Sequence, residues 1–465
     1  MRRRWTSMRR MGAAVQAAGA ILALLSGVAV GGEPSVEGRA PEGSVEIPGS
    51  DAAKEQAPTN AFQESGSPSR PACCPEPNSL TDHGFGLGHT LADKGLDIRL
   101  SATQVYQDVA RGGMATHRHA GRYTGSYDFE IKADLDKLAG LKGGSLYSLT
   151  EGGWSQGINV PSVGALFNPN ADALGDRSVA VAQFWYEQAL ASDKVRIRVG
   201  KIDLTGTFEC RGCPVSFDGN LFANDETTQF LNAAFVNNPT IPFPDRGIGA
   251  VVHFEPVEGW YVSAGLGDAH ADSREMGFNT AFEAGSATFS IYETGYIADL
   301  PSPNGPLRGG YRLGLWYDPQ PKARFNGTGE KRDDVGMYVS VDQTLLRESN
   351  KADDNQGLGV FARFALADRQ VNPIRRFWSA GVQYEGLIPG RDADVVGIGF
   401  GRGRLSDEPG AGFTAAHETL MEAYYNIEVL PCLHVSPGVQ YLADPGGIAA
   451  VREVVIVGVR IQAAF

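Results

Sequence analysis

Two cysteines near the middle of the chain have the spacing of a redox or metal-binding pair. Cys210 and Cys213 enclose an Arg-Gly dipeptide, and this spacing is typical of a catalytic dithiol or of half a zinc site. The sequence has no second such pair and no histidine pair to complete a tetrahedral site. Because the chain also begins with a candidate export signal, we expect Cys210 and Cys213 to form a disulfide in an oxidising compartment, with a catalytic dithiol as the alternative.

The spacings that hydrolases and nucleotide-binding enzymes require are missing. The sequence contains no GxSxG, GxGxxG, P-loop or HExxH motif, and the dipeptide His417-Glu418 has no second histidine at the necessary distance. Loop carboxylates that could attract a cation do not follow the EF-hand pattern; they are Asp333, Asp334, Asp353 and Asp354. We therefore predict no enzyme, no cofactor and no metal site.

Charge and targeting narrow the compartment and the partners. The 465 residues carry a net charge of −13, which makes binding to nucleic acid unfavourable. Residues 1–31 have a basic start, an apolar run and small residues at the end, as in an export signal. Residues 32–79 are rich in Pro, Ser, Glu and Gly and are expected to form a flexible periplasmic leader. Residues 80–465 form the expected folded domain.

Any functional side chain in that domain must be positioned by strands, because apolar and polar residues alternate with a period of two. Val335, Met337 and Val339, for example, alternate with Gly336 and Tyr338. Most candidate strands have about the 9–11 residues that a tilted membrane strand needs. The sixteen candidates are 96–107, 121–134, 143–151, 178–190, 195–201, 247–255, 260–268, 286–298, 308–318, 334–343, 357–367, 376–386, 394–403, 418–429, 433–443 and 453–465.

The connections and the last strand favour an outer-membrane barrel over a soluble sandwich. Connections alternate between short ones such as 191–194 and long ones such as 202–246, as expected for periplasmic turns and external loops. The last strand ends at the aromatic residue Phe465, which we expect the outer-membrane assembly machinery to recognise. The predicted fold is a 16-stranded antiparallel transmembrane β-barrel in contact with outer-membrane lipid, in a Gram-negative-type envelope. A soluble exported binding protein is the alternative fold.

Several segments resemble the OprB family of carbohydrate-selective porins. They are Phe222–Gly249, which includes the run Asn237-Asn-Pro-Thr-Ile-Pro-Phe-Pro-Asp245, then Glu418–Asn426, Val435–Tyr441, Asp444–Gly447 and, more weakly, Leu91–Leu96. The resemblance implies passive diffusion of small neutral sugars. Alternatives are a general or ion-selective porin and, less favoured, an outer-membrane barrel hydrolase. The resemblance also leaves a monomer or a homotrimer open.

The same resemblance implies that the long loop folds into the lumen and narrows it, whereas the alternative is that it only braces the wall. Asn224 or Asp225 is expected to cap a short helix that ends before Asn238-Pro239. The candidate constriction residues are Asn224, Asp225, Glu226, Gln229, Asn232, Asn237 and Asn238.

Strand parity also predicts which side chains face the lumen. Sugar passage needs hydrogen-bonding groups and an aromatic surface, and charge pairs of both signs would orient polar neutral solutes. Each of these residues could instead belong to a structural ion-pair ladder. The candidate pore-lining residues are Glu130, Arg196, Arg198, Arg312, Trp316, Arg363, Glu422 and Tyr424.

Overall fold

The computed structural model describes residues 79–114, 120–209, 223, 225–272, 287–351 and 354–465. Within these residues, sixteen antiparallel strands close into a barrel in which each strand pairs with its neighbours along the chain. The first and last barrel strands pair antiparallel and complete the cylinder. Closure satisfies the backbone of every strand without leaving an exposed edge.

The strands and helices have the following bounds. The barrel strands are β1 (Leu96–Gly113), β2 (Arg122–Asp134), β3 (Gly144–Trp154), β4 (Arg177–Leu190), β5 (Val195–Ile202), β6 (Gly247–Val257), β7 (Trp260–Asp268), β8 (Thr288–Leu300), β9 (Leu307–Asp318), β12 (Asp334–Arg347), β13 (Gly357–Leu366), β14 (Ile374–Glu385), β15 (Val395–Leu405), β16 (His417–Leu430), β17 (Leu433–Ala443) and β18 (Arg452–Ala464). A separate two-stranded ribbon contains β10 (Lys322–Ala323) and β11 (Glu330–Lys331). The α-helices are α1 (Asp82–Phe85), α2 (Leu87–Asp93), α3 (Leu135–Ala139) and α4 (Ala233–Val236), with a π-helix at Asn159–Val163 and a 3₁₀ helix at Pro445–Gly447.

The predicted sixteen-stranded antiparallel barrel is confirmed, and each candidate strand corresponds to one strand of the barrel. The largest difference is β1, which continues to Gly113 instead of ending at 107. Register shifts interrupt its pairing with β18 between Val109 and Gly113. Because such irregularities break the period of two, alternation alone gives a strand that is too short.

The connections separate the two rims of the barrel. Short connections such as 191–194, 258–259 and 431–432 lie at one rim, and the long connections 155–176 and 203–246 lie at the other. Short turns face the periplasm and long loops face outward in barrels of this kind. The helix α3 lies on the short-turn rim.

The two faces of the wall differ in polarity. On β9, the outward-facing side chains of Leu313 and Leu315 are 45% and 54% exposed, while the inward-facing side chain of Arg312 is 2% exposed. Exposed large apolar residues lie on the outer face of most barrel strands. An apolar outer face and a polar inner face are what a lipid-embedded barrel requires.

Among the described residues, no helix is both long enough and apolar enough to cross a membrane.

Two apolar clusters lie where loops pack against inward-facing strand residues. The first includes Phe230 and Phe235 from the long loop together with Phe361 of β13. The second includes Phe208 from the beginning of the same loop together with Trp316 of β9. Loop side chains therefore fill parts of the interior that strand side chains alone cannot reach.

Candidate substrate pathway

All eight predicted pore-lining residues lie on the inward side of the wall. Seven are buried, and Arg196 is partly exposed. Their contact with a transported solute stays a prediction. The eight are Glu130 on β2, Arg196 and Arg198 on β5, Arg312 and Trp316 on β9, Arg363 on β13, and Glu422 and Tyr424 on β16.

One inward cluster combines an ion pair with aromatic rings. Arg198 donates to Glu187 from Nη2 at 2.9 Å and from Nε at 3.1 Å, and Arg196 lies 3.5 Å from the same carboxylate. The Arg198 guanidinium also lies 3.9 Å from the ring centroid of Trp185. Trp185 stacks on Tyr147 with centroids 4.8 Å apart. We call these five residues the β4–β5 cluster, and it presents both charge signs and an aromatic pair on one patch of wall.

The β4–β5 cluster is continued on β2 by Glu130. The Tyr147 hydroxyl donates to the Glu130 carboxylate at 2.7 Å. Glu130 is 5% exposed and Tyr147 is 6% exposed. A predicted pore-lining acid is thus tied to an aromatic residue that sequence parity did not single out.

A second inward cluster lies where the long loop meets β9, β12 and β13. Arg312 pairs with Asp342 across two neighbouring strands. Arg363 lies 3.6 Å from Glu209 of the loop and donates to the backbone oxygen of Phe235. Two predicted pore-lining arginines therefore have acidic partners, and one of those partners comes from the loop.

Glu293 on β8 anchors the beginning of the long loop. Its carboxylate accepts hydrogen bonds from the hydroxyls of Tyr261 and Tyr338, both at 2.7 Å. It also accepts from the backbone N–H of Glu209 at 3.0 Å. Three donors around one buried carboxylate hold this loop position against the wall.

Trp316 faces inward but its ring is covered. The side chain is 1% exposed and lies in the second apolar cluster. A Cβ atom at Gly336 on the neighbouring strand would lie 2.3 Å from the ring, so the indole packs directly across this glycine. The ring therefore does not offer an open face to a solute, unlike the aromatic platform expected from sequence.

The middle of the long loop is held by a carboxylate of the wall. Glu422 accepts hydrogen bonds from the backbone N–H groups of Leu231 at 2.7 Å and Asn232 at 3.0 Å. Arg460 on β18 donates to the backbone oxygen of Gln229 at 2.9 Å. Asn426 donates to the backbone oxygen of Thr228 at 2.9 Å. Side chains of the wall thus satisfy backbone groups that the loop does not pair internally.

The expected helix in this loop is wrong in its start and its length. Asp225 accepts from the N–H groups of Thr227 at 2.8 Å and Thr228 at 3.3 Å, which forms a turn. The helix α4 has only four residues and is capped by Asn232, whose side chain accepts from Ala234 N–H at 3.0 Å. Because Glu422 takes the N–H groups of Leu231 and Asn232, a helix cannot continue through them.

The other predicted loop residues are buried or lie outside the described residues. Asn238 accepts from Thr240 N–H at 3.1 Å and donates to Glu209 at 3.3 Å, and the helix ends before it, as expected. Asn224 and the candidate disulfide pair Cys210 and Cys213 lie outside the described residues. The buried members are Asp225, Glu226, Gln229, Asn232, Asn237 and Asn238.

Two glycines on the inward face of β15, Gly399 and Gly403, form part of the surface against which loop aromatics pack. A Cβ atom at Gly399 would lie 2.8 Å from the rings of both Phe230 and Phe235, and one at Gly403 would lie 2.8 Å from Phe167. Such distances are too short for a side chain. The inward face of β15 therefore has to lack side chains for the loops to lie this close to the wall.

Burial changes the acidity of two loop carboxyls. Burial raises the pKa of Glu209 to about 7, although the nearby Arg363 opposes the shift. Burial also raises the pKa of Asp172 to about 7, against a hydrogen bond from Ser126. In the part of the chain that the structure describes, no group of three or more His, Cys, Asp or Glu side chains is arranged to hold a metal ion.

Sequence parity missed two acidic partners of the predicted arginines, Glu187 and Glu209. Glu187 lies directly opposite Arg198, just as Leu190 lies opposite Val195 across the turn 191–194. Counting back from this short turn would have found Glu187. Glu209 is different, because it lies in an irregular loop where no period predicts its position.

A family model for "Carbohydrate-selective porin, OprB family" matches residues 118–465. Porin B of Pseudomonas aeruginosa is 23% identical over 432 residues, which cover 84% of this chain and 92% of the relative. Porin AaxA of Chlamydia muridarum is 23% identical over 266 residues, covering 57% of this chain and 51% of the relative. The chain therefore spans about half the length of this second relative.

A similar solved structure is described as the high-pH structure of Pseudomonas putida OprB. It has a TM-score of 0.71 at 20% identity and covers 85% of this chain and 100% of its own. At this identity the likeness concerns the barrel fold.

Proposed function

The chain belongs to the carbohydrate-selective porin, OprB family, and on this premise we propose that small neutral sugars cross its barrel past the β4–β5 cluster. The protein is an outer-membrane porin for carbohydrates. Diffusion down a gradient requires no catalytic step and no cofactor. The observation that carries the proposed route is the patch of wall where Glu187, Arg196 and Arg198 adjoin the Trp185–Tyr147 pair.

This patch has the chemistry that sugar passage requires. Fixed charges of opposite sign give hydroxyl groups both donors and acceptors, and the buried Trp185–Tyr147 pair fixes the position of the Arg198 guanidinium. Arg196 retains 12% side-chain exposure in this otherwise buried cluster. A neutral polar solute gains hydrogen bonds here without the desolvation cost that an ion would incur.

The long loop supports the proposal that the lumen is narrowed beside β16 and β18. It is held to β16 and β18 because its N–H groups donate to Glu422 and its carbonyl oxygens accept from Arg460 and Asn426. Phe230 and Phe235 press against Phe361 and against the glycines of β15. We therefore assign the described part of this loop, residues 203–209, 223 and 225–246, the role of a fixed constriction.

Planar-bilayer recording of the full-length porin tests the sugar pathway. We expect discrete conductance steps that decrease when glucose or maltotriose is added, because a sugar in the narrow section displaces ions. Lack of any current reduction by either sugar would remove the proposed pathway. A strong zero-current potential with no effect of sugar would favour the ion-selective alternative.

The position of the first described residues also suggests where the leader lies. The N–H of Leu80 donates to the backbone oxygen of Ala464 at 2.8 Å, at the short-turn rim. We propose that residues 1–31 are removed on export and that residues 32–79 are a periplasmic leader ahead of the barrel at 80–465.

A further inference from the structure

Three arginines on the outer face of β14 and β15 lie close together near the long-loop rim. Arg376 lies directly opposite Arg404, and Arg402 lies opposite Trp378 on the same face. On β15, Arg402 and Arg404 alternate with glycines that face inward, toward the loop aromatics. The three guanidinium groups therefore point away from the lumen.

In the described part of the chain, no carboxylate is paired with these three arginines. Among the described side chains, none forms an ion pair with Arg376, Arg402 or Arg404, and the buried Arg402 Nε has no hydrogen-bond partner there. The nearby Asp407 is occupied by Arg375 at 2.8 Å and Arg369 at 3.1 Å. Like charges directly opposite each other on neighbouring strands are destabilising, so this arrangement lacks an anion.

His417 and Thr419 complete the patch on β16. His417 lies opposite Arg404, and Thr419 lies opposite Arg402. Both add hydrogen-bonding groups beside the guanidiniums. We call these five residues, Arg376, Arg402, Arg404, His417 and Thr419, the outer basic patch.

An apolar surface begins immediately below the outer basic patch. Trp378 and Phe400 stack with their centroids 4.9 Å apart. Phe364 lies opposite Trp378, and Met421 lies opposite Phe400. Charge at the level of the lipid headgroups and aromatic rings at the level of the acyl chains is the pattern of a lipid-binding surface.

Other described parts of the same rim carry carboxylates on their outer surface. Tyr317 donates to Asp333 at 2.6 Å on the outer surface near β9 and β12. Tyr441 hydrogen-bonds Glu453 on β17 and β18. Carboxylates at these positions would repel an anionic headgroup, unlike the three arginines on the outer face of β14 and β15.

We propose that the outer basic patch binds the phosphate group of an outer-leaflet glycolipid, whose acyl chains lie along Trp378, Phe400 and Met421. Arginine suits this ligand because its planar fork binds phosphate oxygens in a bidentate manner. The lipid phosphate also screens the repulsion between Arg376 and Arg404. The bound lipid therefore stabilises this part of the barrel wall.

Native mass spectrometry of the full-length porin in a neutral detergent tests this site. The probes are bisphosphorylated lipid A, the same glycolipid with its phosphates removed, and inorganic phosphate. We expect lipid A to bind at least tenfold more tightly than the dephosphorylated glycolipid, and inorganic phosphate alone to bind too weakly to be retained. Equal binding of the two glycolipids, or equally tight binding of inorganic phosphate, would overturn the proposal.

The matched variants are Arg376→Gln/Arg402→Gln/Arg404→Gln in the patch and Arg332→Gln, beside Asp333 on the same rim. The triple variant should lose at least tenfold in lipid A affinity, whereas the control should not change. Unchanged affinity in the triple variant would contradict the site. Channel conductance verifies that each variant has folded, and Arg404→Gln alone replaces the triple variant if that one does not fold.

Discussion

Glu187 determines the charge balance of the β4–β5 cluster. Its one carboxylate faces two arginines at 2.9 and 3.5 Å, and its side chain is 6% exposed. Removing one partner of a buried ion pair leaves the other charge uncompensated and costs about 3–5 kcal/mol in typical proteins. Because two arginines share this carboxylate, its removal leaves two positive charges uncompensated.

We expect Glu187→Gln to shift the channel toward anions, because Arg196 and Arg198 then lack a fixed negative charge. The zero-current potential across a salt gradient measures this shift. Glu258→Gln, in the exposed turn between β6 and β7, is the matched control and should leave the potential unchanged. An unchanged potential in Glu187→Gln would show that the cluster does not contact the ion path.

At the scale of single residues, the sequence predicts which face of the wall a side chain lies on better than it predicts what that side chain contacts. Parity placed Arg198 and Glu422 on the inward side, because successive side chains of a strand point to opposite faces. It could not show that Glu422 serves the loop backbone, or that the indole of Trp316 packs across Gly336. These contacts join residues that are distant in sequence, and the alternation within one strand gives no information about them.

At the scale of elements, the long loop is held by wall side chains more than by its own secondary structure. Glu422 accepts two backbone N–H groups, and hydrogen bonds to a charged group contribute about 1.5–3 kcal/mol each. The loop therefore depends on charge at a single wall position.

We expect Glu422→Gln to loosen the loop and increase the single-channel conductance, since a neutral amide oxygen replaces two charged acceptors. Current noise should also rise and sugar block should weaken. Glu428→Gln on the same strand is the control, because its side chain makes no hydrogen bond to the long loop within the described residues. Equal conductance in wild type and Glu422→Gln would contradict the constriction role.

The loop also shows where local helix rules fail. A cap at Asp225 followed by spaced apolar residues is a reasonable helix signal, yet the tertiary hydrogen bonds of Glu422 replace the helical ones. The alternating glycines of β15 are a signal present in the sequence, and they correctly indicate an inward face crowded by other groups.

At the scale of the whole molecule, the barrel depends on the seam between β1 and β18. The other fifteen pairs of the barrel join strands that follow one another along the chain, but the seam joins residues near opposite ends of the folded domain, such as Asp108 and Val457. Alternation and loop lengths predicted sixteen strands because lipid and lumen impose opposite polarity on successive residues. Recognition of Phe465 by the assembly machinery stays a prediction.

We expect Val457→Pro to prevent closure, because proline removes a backbone donor in a strand paired on both sides. The readout is the fraction of protein that migrates as a compact, heat-modifiable form in outer-membrane extracts, which should fall severely. Val457→Ala keeps the N–H group and should assemble normally. Normal assembly of the proline variant would show that the seam tolerates a missing ladder bond.

The wall is not equally tall around its circumference. β1 has 18 residues and β5 has 8, so at about 3.3 Å per residue they measure roughly 59 and 26 Å along the strand. Once tilted, β5 is too short to cross the apolar band of about 25 Å. The chain therefore leaves the wall below the outer membrane surface at Ile202, and the long loop starts inside the barrel mouth instead of descending from above it.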